Sequence, residues 1–404
     1  MKILVLTSTY SRRENDTEPK FVDNLCHYLS LNNEVHVVAP HAPGIPTRES
    51  MNGIPVFRFR YCFENWQTLA YDGGILPSLK QNPLRALLIP LFLFSECLLT
   101  VKLMREHHYD VIHAHWIIPQ GLVAVLARAF APARPAVVVT SHGGDLFALR
   151  GALLARLKRW IIARAEQLTV VSSAMKSRAA ALRLAEVDHI CVIPMGMDSR
   201  ELFCPPASAA PRTGLLFIGR LVEKKGVEYL LAAMPQVLQQ HPQLRLTIVG
   251  DGPLRNSLVQ QCATLGIAGQ VRFTGSIANR QVPDYLRAAA ITVFPSVVTS
   301  SGDQEGTPVA IMEALACACP TIVSDYPGVR DIINEGENGL IVEQKSPASL
   351  SRAITTLLED AQLRERLGNA ARESVQRDYD WLVISARFLA LFQSITKVSS
   401  QAKR

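Results

Sequence analysis

The chain has 404 residues, 48% of them hydrophobic and 19% charged, with a formal net charge of +7. That length divides into two or three domains, each able to bury its own core, and the composition excludes a disordered chain. The positive charge permits anionic ligands or an anionic membrane surface as partners, but no nucleic-acid module accompanies it, so nucleic acid is not expected.

Strands and helices alternate from the start. Residues 2–7 read as a β-strand without a continuous apolar leader or cleavage site, so the protein is expected in the cytoplasm. A helix over 21–31, strands over 34–39 and 56–61, and one or two helices over 84–107 follow. Residues 84–101 look membranous, but Arg85, Pro90 and Glu96 interrupt them. A spanning helix needs about 20 apolar residues, so none is expected. Next come a strand at 111–115, a helix at 121–129, a strand at 136–141 and a helix at 153–165. A strand at 168–171, a capped helix at 172–184 and a strand at 190–193 complete the first half. Short apolar strands separated by helices predict a parallel, doubly wound sheet.

Residues 203–213, rich in Pro and Ala, read as a linker, and a second alternation begins at 214. Its strands are expected at 214–218, 245–249, 271–274, 291–294, 321–324 and 339–342. Helices are expected at 227–240, 253–266, 281–288 and 329–334, with a long helical stretch after Pro347. The expected division is a first domain at 1–205, a linker at 206–213, a second domain at 214–378, and a last helix in 379–404 packing back on the first domain. The fold class is α/β, two Rossmann-like domains facing a cleft, with ligands at the carboxyl ends of the strands. The eight cysteines suit neither zinc nor disulfides, and read as reduced thiols.

The stretch from Gly302 to Ala316 carries the most chemistry. It reads as a loop feeding a buried helix, with Thr307 as N-cap and Pro308 in the first turn. Free N–H groups and the positive dipole end make such a helix start an anion site, with Gly306, Thr307 and Val309 as candidate contacts. Glu305 and Glu313 bracket it, and carboxylates accept hydrogen bonds from paired hydroxyls. A sugar nucleotide, with an anion between two polyols, fits that pattern; two ordinary surface acids would give the same spacing. Arg220 and Lys225 leave the end of the strand at 214–218, where they serve a diphosphate or form a solvated basic turn. The turn Gly250-Asp251-Gly252 permits close backbone approach, a weak signal alone. His142, in Ser141-His142-Gly143-Gly144-Asp145, follows the strand at 136–141, with glycines leaving room around it.

The segments GRLVEKKG, VGDGP, GDQEGTPVAIMEALACACPTIVSD and ENGLIV together resemble the family-4 retaining glycosyltransferases of GT-B fold over nearly the whole chain. HAHWIIPQG and SHGGDLF resemble a subgroup that builds bacterial exopolysaccharide, colanic acid-like or teichuronic acid-like polymers. The resemblance implies that Arg220 and Lys225 bind the donor diphosphate, Glu313 the ribose hydroxyls and Glu305 the donor sugar. It implies a catalytic role for His142 beside the transferred sugar, and nucleobase contact around Phe273 and Thr274. It further implies retention of anomeric configuration, generally without a metal, and no cofactor beyond a nucleoside diphosphate sugar donor. Two positions depart from the pattern: Lys20 stands where a glycine is usual, and Tyr326-Pro327-Gly328 replaces the usual glycine pair.

The expected reaction moves a hexose or hexosamine to a saccharide acceptor, lipid-linked, in cell-surface polysaccharide synthesis. A sugar-nucleotide epimerase on the same fold, or a sugar-nucleotide-binding protein without catalysis, are the alternatives. Residues 84–101, with Leu87, Leu88, Ile89, Leu91, Phe92 and Phe94, predict a peripheral contact with the inner face of the cell membrane. So do residues 153–164, with Arg156, Lys158, Arg159, Arg164 and Trp160.

Overall fold

The computed structural model describes every residue except 14, 15, 17, 72, 207–210, 306–308 and 402–404. The chain forms two compact units, one of Met1–Pro194 with Ile384–Arg404, the other of Met195–Val383.

Unit 1 contains β1 (Lys2–Leu6), β2 (Glu34–Pro40), β3 (Arg48–Met51), β4 (Ile54–Phe59), β5 (Val111–His115), β6 (Ala136–Ser141), β7 (Gln167–Val170) and β8 (Ile190–Val192). They form one sheet in the order β3-β4-β2-β1-β5-β6-β7-β8. All pairs are parallel except β3 with β4. The sequence reading placed a loop where β3 lies, because Arg48-Glu49-Ser50 carries no apolar alternation. The hairpin is made by Asn52 and Gly53, both at positive φ, the two-residue turn whose twist suits paired strands. The central strands are buried on both faces, as a sheet covered by helices requires.

The helices of unit 1 are α1 (Phe21–Ser30), α2 (Ile75–Gln81), α3 (Ile89–Glu106), α4 (Leu122–Arg128), α5 (Ala152–Ile162) and α6 (Ser173–Ala181). The steps β4 to β5, β5 to β6 and β6 to β7 all run the same way across the sheet. Right-handed crossovers therefore set α3, α4 and α5 on one face. A tight turn over Pro83–Leu88 leads into α3, and together they make a helical run of 24 residues, Pro83–Glu106, with a mean hydropathy of 1.9 in its most apolar window. Only 28% of that window is buried. By length and composition this run is long enough to cross a membrane, where the sequence reading had Arg85, Pro90 and Glu96 cut it short. The structure gives the reason: Pro90 sits in the first turn of α3, Glu96 is fully buried, and Arg85 turns inward to Ser78. The inner side (Phe92, Glu96, Thr100, Leu103 and Met104) packs into the unit, while Leu84, Leu87, Leu91, Phe94 and Leu98 form an exposed stripe at helical spacing. On α5 Leu153, Arg156, Arg159 and Trp160 are exposed, as is Arg164 just beyond its end. Lys158, expected beside them, is instead buried and donates to the Leu149 carbonyl.

Unit 2 contains β9 (Leu215–Ile218), α7 (Val227–Gln240), β10 (Leu246–Val249), α8 (Arg255–Thr264), β11 (Val271–Gly275), α9 (Val282–Ala288), β12 (Ile291–Phe294), α10 (Val309–Ala316), β13 (Thr321–Ser324), β14 (Leu340–Val342), α11 (Pro347–Glu359) and α12 (Ala361–Asp378). Its sheet is all parallel, in the order β11-β10-β9-β12-β13-β14. The helix expected at 329–334 is a single tight turn, Val329–Asp331. The long stretch after Pro347 breaks at Asp360, whose carboxylate caps α12 by accepting from the Leu363 N–H. The last helix, α13, spans Trp381–Gln401.

Candidate functional site

In a doubly wound sheet the crevice opens where the strand order reverses. In unit 2 that is between β9 and β12, which pair directly. The loop after β9 carries Gly219 to Gly226, and the loop after β12 carries Pro295 to Glu305. One ion pair ties them: Lys225 Nζ lies 2.9 Å from Glu305 Oε2, with side chains 17% and 10% exposed. Lys224 Nζ lies 3.3 Å from Asp303 Oδ1, a second, more exposed pair between the same loops. Glu305 Oε1 is buried with no hydrogen-bond partner among the described residues. A buried carboxylate oxygen left open carries a cost of about 1–3 kcal/mol, which a ligand hydroxyl donating to it would remove. Arg220 is exposed, and its guanidinium has no partner among the described residues.

The glycines here serve the backbone. Gly226 holds φ at +62°, and a Cβ on it would run into the Pro295 carbonyl oxygen. The Gly250-Asp251-Gly252 turn permits close backbone approach, and here the approach is by the protein itself: a Cβ on Gly250 would strike the Gly219 carbonyl oxygen, and one on Gly252 the Leu221 carbonyl oxygen. These glycines let the turn after β10 pack on the turn that presents Arg220 and Lys225.

The anion site expected at the start of α10 rests on Gly306, Thr307 and Pro308, which lie outside the described residues. Val309 opens α10 and is 44% exposed, while Ile311, Met312, Ala314, Leu315 and Ala316 are buried. Glu313 is half-buried, and burial pushes its carboxyl up to about 7. It has no hydrogen-bond or ion-pair partner among the described residues. Arg372 Nη1 and Arg212 Nη2 donate to the carbonyls of Ala316 and Cys317, each at 2.7 Å, satisfying the carbonyl end of the helix. Phe273 and Thr274 end β11, both half-buried, with Thr274 Oγ1 donating to the Gly275 carbonyl at 2.9 Å.

Tyr326 is a residue whose role the sequence reading left open. It follows β13, is 3% exposed, and its hydroxyl is buried with no partner among the described residues. Burial and then the charge of Glu305 raise its pKa, so two open polar groups belong to one neighbourhood.

In unit 1 the order reverses between β1 and β5. His142, just after β6, meets His115 at the end of β5: His115 Nδ1 and His142 Nε2 are 2.9 Å apart, and the rings stack at 5.2 Å with 12° between planes. One ring donates and the other accepts, which two neutral imidazoles can do. Burial holds both far below the ordinary histidine range, His142 down to about 3. Phe21 and Trp116 pack their rings 4.7 and 5.1 Å from His142. His113 donates to or accepts from Thr140 Oγ1 at 2.7 Å and is covered by Phe388 and Phe392. Asp145 braces the group, accepting from Ser141 Oγ and the Ile117 N–H, each at 2.6 Å. Trp116 holds φ at +77°, a strained state for so large a residue. Gly143, expected to leave room around His142, is needed for its φ of +102°, since a Cβ there would meet only ordinary contacts. Lys20, in place of the usual glycine, has an ordinary φ of −84° and precedes α1. Among the described residues no group of three or more His, Cys, Asp and Glu is arranged to hold a metal ion.

Residues 201–374 match the family described as Glycosyl transferases group 1, and residues 20–201 match Glycosyltransferase Family 4. The chain is 28% identical over 288 residues to a glycogen synthase of Mycobacterium tuberculosis, covering 70% of this chain and 68% of that one. It is 28% identical over 426 aligned positions to the putative teichuronic acid biosynthesis glycosyltransferase TuaC of Bacillus subtilis, covering 99% of this chain and all of that one. Among solved structures it is similar to sucrose-phosphate synthase from Thermosynechococcus elongatus, at a TM-score of 0.75 and 21% identity, covering 98% and 99% of the two chains.

Proposed function

The chain belongs to the group 1, family 4 glycosyltransferases of GT-B fold, which use nucleotide sugars, and from that premise we propose a retaining transfer of a hexose or hexosamine to a lipid-linked saccharide acceptor in cell-surface polysaccharide synthesis. The observation that carries the reading is the Lys225–Glu305 pair at the strand-order reversal of unit 2. It presents a cation for a diphosphate and an open carboxylate oxygen for a sugar hydroxyl. Arg220 and Lys225 take the diphosphate, Glu313 the ribose hydroxyls, Glu305 the donor sugar, and Phe273 and Thr274 the nucleobase edge. The neutral imidazole of His142, with Nδ1 unpartnered among the described residues, hydrogen-bonds a hydroxyl of the transferred sugar.

The full-length likeness to a putative teichuronic acid enzyme supports a cell-surface polymer as product. The exposed stripe on α3 and the basic, Trp-bearing face of α5 support work at the inner membrane surface. Mass spectrometry of the protein with a panel of sugar nucleotides identifies the donor, and anomeric couplings in the NMR spectrum of the product test retention. An inverted product would overturn the mechanism. Flotation with anionic and neutral vesicles at low salt tests the location, and absence from both lipid fractions would retire it.

A further inference from the structure

Glu96 sits midway along α3 with no exposed surface. It faces Gln120, which is equally buried in the turn Ile117–Gly121 that follows β5. Two backbone groups fix the Gln120 amide. The His115 carbonyl can only accept, so the amide nitrogen lies toward it and donates at 3.0 Å. The Ser8 N–H can only donate, so the amide oxygen lies toward it and accepts at 3.3 Å. One side chain thereby stitches the end of β5 to the loop that follows β1, across the strand-order reversal of unit 1.

In that orientation the amide oxygen is also the atom 3.4 Å from Glu96 Oε2. Two acceptor oxygens so placed repel unless a proton stands between them, so the carboxyl is neutral and its O–H points at Gln120. Burial acts in the same sense, pushing the carboxyl up to about 8. Among the described residues, the charged groups of the neighbouring elements are turned to other partners. His36 of β2 faces Glu34 and Tyr109, Arg58 of β4 faces Glu49 and Tyr71, Arg128 of α4 faces Glu166, and Arg85 faces Ser78. Cys97, next along α3, is half-buried. When the carboxyl ionises, its charge draws the Gln120 N–H, and the amide serves Glu96 only by giving up both Ser8 and His115.

We propose that Glu96 is a positioning residue for His142: its proton holds Gln120 across the strand ends and, through His115, sets the ring pair that meets the transferred sugar. The part played by that pair rests on the glycosyltransferase reading; the coupling of Glu96 to it does not. The path is short and continuous. His115 carries the carbonyl that Gln120 binds, and its ring stacks on His142 with Nδ1 2.9 Å from Nε2. His115 Nε2 has no partner among the described residues, so backbone and stacking steer the pair rather than a further side-chain bond.

NMR of isotope-labelled glutamate carboxyls and histidine rings, followed on the full chain from about pH 6 to about pH 10, tests it. The Glu96 carboxyl should titrate with a midpoint of about 8. The ring nitrogens of His115 and His142 should shift with that same midpoint, although both rings are neutral there. Glu96→Gln keeps a donor toward Gln120, so its ring signals should match those of the parent at the acidic end, whatever the pH. Glu96→Met fills the space without the donor, so its rings should sit away from that position and show no response to pH. Calorimetry with UDP and GDP should give both variants affinities within about twofold of the parent, since the nucleotide residues lie in unit 2. Ring signals of the parent that ignore the Glu96 transition overturn the proposal, whether or not either variant folds. So does a Glu96→Met spectrum identical to that of Glu96→Gln, the result expected of a residue that only fills space. A parent that binds neither UDP nor GDP overturns the transferase reading and leaves the Glu96 coupling standing.

Discussion

The two sheets share the same order around their central strands, yet the ends of those strands are furnished in opposite ways. At β9 and β12 stand Lys225, Glu305 and an exposed Arg220; at β5 and β6 stand stacked, neutral histidines walled by Phe21 and Trp116. One end is built to meet fixed charge. The other keeps its histidines uncharged, so that they act only through hydrogen bonds and ring faces. A shared fold therefore settles where a ligand sits, while the loop residues settle what kind of ligand it is.

That contrast can be broken most severely from the charged side. Arg220→Ala or Lys225→Ala should weaken nucleoside diphosphate binding by about 2–5 kcal/mol, the cost of removing one partner from a charged contact shielded from water. Titration calorimetry decides it, and affinities within twofold of the parent would remove the diphosphate assignment. Glu305→Gln should come next, lowering turnover by about a hundredfold while nucleoside diphosphate affinity holds. A loss of affinity with turnover intact would move Glu305 away from the sugar.

Smaller effects sharpen the comparison through pH. Burial raises the Glu313 carboxyl to about 7, and its ionised form accepts from two hydroxyls, whereas the protonated form gives up an acceptor site. Nucleoside diphosphate affinity should rise by up to about tenfold from pH 6 to pH 8, and Glu313→Gln should flatten that slope. His113 tests the neutral side. Burial lowers it from 6.5 to about 3, so between those values the unfolded chain takes a proton that the folded one refuses. Its contribution is intact above pH 6.5 and is lost as pH falls toward 3. Urea melts should show the parent losing about 1 kcal/mol more than His113→Asn between pH 7.5 and 5.5.

The alternation of strands and helices was legible because each buried strand is a short apolar run between turn residues. β3 escaped because Arg48-Glu49-Ser50 lies at a sheet edge and needs no apolar face; Asn52-Gly53 was the available signal. Arg220, Lys225, Glu305 and Glu313 could be picked out one by one. The pairing of Lys225 with Glu305, 80 residues apart, could not, since it follows from β9 lying beside β12. His115 and Asp145 were hidden for the same reason: the ends of β5 and β6 meet only in the folded sheet.

The covering of His113 by Phe388 and Phe392 also sets an order of events during synthesis. Both aromatics belong to the segment from Ile384 onward, which reaches the ribosome exit only after all of unit 2. Domains generally complete themselves in the order in which they are made. Here the first-made sheet waits with an uncovered imidazole face until the last helix arrives. A chain released after Val383 would hold a complete second unit and a first one still lacking the aromatics that cover His113.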